Sequence, residues 1–389
     1  MIALPEGPPA GASEQSSAAF RFQLIDVARG LAALSIIVWH YQFFFHPEPD
    51  VFSGAFAVER QPFFSFLRGF YVSGFAAVDL FFVISGFVFF HVYSTSIGDG
   101  STSPGQFFLA RFARLYPLHF ATLLIMLFGQ LLAQHLTGSC RLICRNNDTW
   151  HFILNIFFAS SWGLERGFSY NAPIWSVSVE VLLYAVFFLF ARVTRAYTGR
   201  LLPAICLMIA AGILMRQIGH KYEIAIIGQG LACFYIGGLV YQLWLYSHSN
   251  PSLRKPMAAA AVFVCVTATA AFSYGLMGSR TFPLIAFPGA ILALAIFQSW
   301  WPTAGKSLRV IGDITYSTYL MHFPVQLLIV VSIHTWKIPV NFEQPLPFLV
   351  YFSSVVALAI VVHYGFELPA QQFVKRMARF RSARAPVEV

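Results

Sequence analysis

The chain has 389 residues, of which 58% are hydrophobic, 17% aromatic and only 11% charged, with a formal net charge of +9. That is more apolar side chain than a soluble core of this length can hide, so the composition points to an all-α, polytopic integral membrane protein. The basic residues lie in short segments between apolar runs and not along one face, which fits membrane orientation and argues against nucleic acid as a partner.

Residues 1–20 are rich in Pro, Gly, Ala and Ser and contain no Lys or Arg, so they lack the basic start of a cleavable signal and are expected to form a disordered cytoplasmic tail. Ten apolar runs long enough to span follow, at about 24–45, 74–93, 114–134, 174–191, 201–218, 224–245, 257–276, 281–299, 310–332 and 347–366. They define a transmembrane domain over 21–375 and a basic cytoplasmic tail over 376–389. With the N-terminus inside, 16 of the 25 Lys and Arg residues fall on the cytoplasmic side, so the positive-inside rule places both termini in the cytoplasm.

The longest outer segments are then 46–73 and 135–173. The second holds an apolar stretch, Trp150 to Trp162, too short to span and suited to an interfacial or re-entrant helix. It also holds Cys140 and Cys144, which form a disulfide if the loop faces an oxidising compartment and are otherwise two free thiols. Cys206, Cys233 and Cys265 sit in apolar runs and are expected to pack as small hydrophobes. No metal site is expected without a second ligand pair. The basic stretch after Glu367 suits an amphipathic helix on anionic lipid.

Signatures of soluble enzymes are missing: there is no GxSxG elbow, P-loop, HExxH or Rossmann glycine pattern. Ionisable residues inside the spans remain, and these are functional candidates by default. In DVARGLAALSIIVWHY, Arg29 and His40 are eleven residues apart, three helical turns, so they share a face at a separation of roughly 16 Å. His40, Asp79, Glu180 and His322 are expected at similar depth in the outer half, where an imidazole oriented by a carboxylate can serve as a general base. Each also has a plainer reading as a hydrogen-bonded packing residue. At the inner end Arg29, Arg111 and Arg114 suit phosphate groups, the plainer reading being topology markers, with Arg29 paired to Asp26.

Taken together, Arg29 and His40, DLFFVISGFVFF from Asp79, Arg111-x-x-Arg114, WSVSVEVLLY around Glu180 and TYSTYLMH ending at His322 resemble the membrane-bound acyltransferase-3 family. In the last motif Thr315 stands where the family commonly has Ser. The resemblance implies an acyltransferase, not of aminoacyl groups, that moves an acyl group, usually acetyl, from cytoplasmic acyl-CoA to a sugar hydroxyl outside. It also implies that His40 is catalytic, that Arg29 belongs to the same motif and that Arg111 and Arg114 help hold the donor. Some relatives carry a further esterase-like domain at the C-terminus; none is expected here.

The reading is therefore an O-acyltransferase of a bacterial cytoplasmic (inner) membrane. Asp79 or Glu180 would orient His40, acyl-CoA would be a co-substrate, no cofactor would be bound permanently, and the partners would be lipid and a carbohydrate acceptor. A glycan or lipid-linked-sugar transporter, with no covalent chemistry, is the main alternative. A catalytically silent scaffold is the third.

Overall fold

The computed structural model describes residues 21–45, 58–195, 201–219 and 222–384. The expected tail over 1–20, part of the 46–73 segment and the last five residues lie outside the described residues. The elements are α1 Gln23–His40, α2 Phe64–Ser73, α3 Ala77–Gly98, α4 Pro104–Thr137, α5 Thr149–Ile156, α6 Trp175–Arg195 and α7 Leu201–Ile218. They continue as α8 Tyr222–Ser249, α9 Pro251–Ser273, α10 Phe282–Trp300, α11 Arg309–Asp313, α12 Thr315–Trp336, α13 Pro345–Val362 and α14 Leu368–Arg384, with no β-strand among the described residues. Among the described residues ten helical segments are long and apolar enough to cross a bilayer, one for each run expected from sequence.

The helix α12 lies at the centre, with 78% of its spanning window buried, and it packs on α1, α4 and α13. The corresponding shares for α7 and α9 are 11% and 17%, so these helices turn residues such as Leu207 and Val266 outward, as a lipid-facing helix should. Glycine sets the closest approach between α3 and α8. A Cβ on Gly86 would lie 1.8 Å from the Phe234 carbonyl oxygen and one on Gly237 2.0 Å from that of Val83, so neither position has room for a side chain. Near Arg29, a Cβ on Gly30 would meet the Ile311 carbonyl at 2.2 Å, so α11 presses directly on the inner end of α1.

Several boundaries differ from expectation, and three of them have a clear local reason. The α4 helix begins ten residues before 114, because Ser103 and Gln106 form a reciprocal capping box and Pro104 occupies the first turn. Arg111 and Arg114 consequently lie about two to three turns inside a helix and not at its start. The ninth span starts at Thr315, the residues before it forming the separate short helix α11. The tenth does not stop at 366: α13 widens into a π-helical turn, His363–Glu367, and continues as α14. The π-turn accommodates an extra residue, and both His363 and Glu367 end up buried.

The 135–173 segment folds into a cap. Cys140 and Cys144 are joined by a disulfide, in line with the first of the two readings above. The helix α5, Thr149–Ile156, takes up only the first half of the Trp150–Trp162 stretch. Asp148 caps it, accepting from the His151 backbone N–H at 2.8 Å and pairing with the His151 ring at 2.7 Å. His119 on α4 contacts the Asn155 carbonyl oxygen at 2.7 Å through Nε2. Of the other cysteines Cys233 is buried and Cys265 half-buried, whereas Cys206 is exposed on α7.

Candidate functional site

His40 is the last residue of α1, where the chain tightens into the 3₁₀ turn Tyr41–Phe45. Its Nδ1 lies 2.9 Å from the Ile36 carbonyl oxygen, an arrangement that makes Nδ1 the protonated nitrogen and leaves Nε2 as an acceptor. The Gln326 side chain of α12 donates to the His40 carbonyl oxygen at 3.0 Å. One turn earlier on α12, the fully buried His322 ring stands 4.6 Å from that of His40, centroid to centroid, and among the described residues its nitrogens meet no side-chain hydrogen-bond partner. The two histidines named from sequence are therefore brought together.

The carboxylates expected beside them are not placed that way. No hydrogen bond joins Asp79 or Glu180 to His40; the Ile36 carbonyl orients the ring instead. Asp79 lines the same cavity as His40, with the Cys233 thiol 3.9 Å from its Oδ1. Glu180 Oε1 accepts from Ser85 Oγ at 2.6 Å. Ser85 is six residues beyond Asp79 on α3, roughly 9 Å further along the helix, so Glu180 belongs to a deeper layer than residue counting from the α6 start suggested.

Three cavities succeed one another through the helix bundle. The innermost, of 780 Å³, is lined by seven cationic side chains (Arg21, Arg29, Arg111, Arg114, Lys306, Arg309 and Lys375) against two carboxylates, Asp26 and Asp313. Arg29, Arg111 and Arg114 also line the middle cavity, a narrow space of 140 Å³ that contains Glu180, Ser85 and Tyr184. Val78 and Tyr319 are shared in turn by the middle cavity and an outer one of 400 Å³ that holds His40, Trp39, Asp79 and Phe323. The Tyr319 hydroxyl is held by the Pro173 carbonyl oxygen at 2.8 Å and Ser176 Oγ at 2.7 Å.

Each inner arginine is held by the protein. Arg29 pairs with Asp26 at 2.9 Å, and Arg114 with the buried Glu367 at 2.9 Å. Arg111 donates to the Tyr93 hydroxyl at 2.7 Å and lies over the Phe89 and Tyr93 rings at 5.3 and 5.1 Å. Glu367 also accepts from Ser317 Oγ at 2.6 Å and lies 3.0 Å from His363 Nδ1. Sequence reasoning missed Glu367, Ser317 and His363: a carboxylate at the end of an apolar run gives no sign that a π-turn will aim it at Arg114. Among the described residues no cluster of three or more His, Cys, Asp or Glu side chains could hold a metal ion.

The family model described as Acyltransferase domain matches residues 22–364. The chain is 32% identical over 203 residues to Protein 2 in picA locus of Rhizobium radiobacter, covering 49% of this chain and 95% of that protein. It is 32% identical over 146 residues to Acyltransferase MdmB of Streptomyces mycarofaciens, covering 36% of this chain and 34% of the relative. To the peptidoglycan O-acetyltransferase OatA of Listeria monocytogenes it is 23% identical over 340 residues, covering 77% of this chain and 49% of the relative. It thus spans about a third of the length of MdmB and about half that of OatA. No solved structure matches. The family match extends from the first spanning helix to the π-turn of the last, and the chain belongs to the acyltransferase-3 family of membrane-embedded acyltransferases.

Proposed function

We propose that this acyltransferase takes its acyl group from acyl-CoA at the basic cavity and delivers it to a hydroxyl of an extracytoplasmic glycan or glycolipid at the His40 cavity. The observation that carries this reading is the shared walls: the same three arginines border the inner and middle cavities, and Tyr319 and Val78 border the middle and outer ones. The excess of cations in the inner cavity suits the phosphates of the donor nucleotide. The narrow middle cavity suits its extended pantetheine arm. The acceptor hydroxyl gives its proton to His40 Nε2 while its oxygen attacks the thioester carbonyl carbon, the C–S bond breaks, and the CoA thiolate leaves and takes up a proton. The products are an ester and free CoA. Glu180, beside the arginines, lines the route of the thioester, while His40 is oriented by the Ile36 carbonyl.

The test uses the purified full chain in proteoliposomes, with acetyl-CoA turnover and acetyl-CoA binding measured separately. His40→Ala should lower turnover by about 10²- to 10⁴-fold. Donor binding should survive, because Arg29 lies about three helical turns away. Normal turnover in His40→Ala, or no acyl-CoA consumption by the native chain with any glycan, would sink the proposal.

A further inference from the structure

Most arginines at the inner end of this series of cavities are paired with carboxylates, Arg111 with its aromatic partners being the exception. Arg21, Arg29, Arg114 and Arg309, at the inner end, all form salt bridges with Asp26, Asp313 or Glu367. The His40 cavity also contains two arginines, Arg216 near the end of α7 and Arg280 from the turn between α9 and α10. Neither forms a salt bridge among the described residues. Arg216 is tied to the Arg280 main chain, since its Nη1 donates to the Arg280 carbonyl oxygen at 3.0 Å and to Gln229 Oε1 at 2.5 Å, and both residues line the same cavity. These bonds fix one Arg216 nitrogen. The other end of its guanidinium fork and the exposed Arg280 side chain are left for something else.

Arg216 feels both the like charge of Arg280 and the opposite charge of Asp79, so one positive charge on this wall stays uncompensated and an entering anion offsets it. Their forked geometry matches a carboxylate or a phosphate. The other walls include Trp39, Phe75, Trp175, Tyr222 and Phe323, flat apolar surfaces on which the faces of sugar rings stack, and the 400 Å³ volume suits the end of a short oligosaccharide. Asp79 is the one acidic side chain lining the cavity, so an entering anion meets two cations and one carboxylate.

We infer that the acceptor is an acidic carbohydrate, carrying a carboxylate or phosphate that Arg216 and Arg280 bind while its hydroxyl is presented to His40. This rests on the reading of the outer cavity as the acceptor site.

The experiment compares an oligogalacturonate with its methyl ester, the same sugar without the charge, and a hexose 1-phosphate with the free hexose. Binding is measured by calorimetry and acylation by mass spectrometry, using the full chain with acetyl-CoA. The charged member of each pair should bind and be acylated about ten- to a hundredfold better. Arg280→Gln, which removes an exposed side chain, and Arg216→Gln should each erase most of that preference. Acetyl-CoA binding in the same samples reports whether the variants are folded. Equal acylation of the charged and uncharged members overturns the inference while leaving acyl transfer intact. Charge-dependent binding that Arg280→Gln erases, without acylation of either sugar, keeps the anion site and sinks the transfer reading. If the substitutions change only the preference for phosphatidylglycerol over phosphatidylcholine nanodiscs, the arginines are headgroup anchors and the inference falls.

Discussion

Arg114 and Glu367 form a pair in which the carboxylate is only 2% exposed, and such partners are not removed independently. Taking one member from a buried pair leaves the other uncompensated, at about 3–5 kcal/mol, less here because Arg114 is partly exposed to the inner cavity. Arg114→Ala should therefore lower the thermal unfolding temperature as well as weaken acyl-CoA binding. Combining Arg114→Met with Glu367→Gln should restore the unfolding temperature without restoring donor affinity. A double variant as unstable as the single one would show that the pair is not the source of the loss. The three-residue spacing of Arg111 and Arg114 was legible in the sequence because a helix converts it directly into a shared face. Their partners were not. Glu367 lies some 250 residues further along, and only the folded π-turn brings it to Arg114.

Helices as units were readable wherever the apolar run alone decided them, and misread where polar residues belong to the helix. The start of α4 is the clearest case. The apolar run placed the start of the span at 114 and left GQFFLARFA outside it, although the capping pair Ser103 and Gln106 was present in the sequence. The cap between α4 and α6 went unrecognised as a folded unit because its order depends on one disulfide and a few side-chain bonds, not on periodicity. Its dependence on pH follows from Asp148. Hydrogen bonds from the His151 backbone and ring hold this carboxyl below its ordinary value of 3.8. A group whose folded value is depressed contributes stability above its unfolded value and loses it as pH falls through the folded one. Hydrogen exchange in residues 149–170 should accordingly rise as the pH drops below about 4, and Asp148→Asn should flatten that response. An unchanged profile in the variant would assign the acid sensitivity to other groups.

For the molecule as a whole, the ten apolar helices among the described residues predict that the two ends of the helical body share one side of the membrane, and the distribution of Lys and Arg predicts which side. A single-cysteine probe at Glu165 should react with an impermeant reagent added outside intact cells, and one at Arg254 should not. The reverse pattern would turn the basic cavity away from the cytoplasm and the acyl-CoA pool. The existence of ten spans followed from composition and hydropathy alone. The division into three cavities did not, because it depends on how α1, α3, α6 and α12 pack across one another.

The smallness of the middle cavity also bears on energy conservation. A membrane that stores an ion gradient cannot contain a continuous water-filled crossing. Only 140 Å³ separates the basic chamber from the histidine chamber, and the Tyr319 hydroxyl at its outer wall already makes two hydrogen bonds within the protein. The remaining space is lined by Glu180, Ser85 and Ser176 and is large enough for several waters, so it is the donor's pantetheine arm, once it fills the middle cavity, that closes the crossing. The same constriction that lines up the two ends of the enzyme is then plugged by its own substrate.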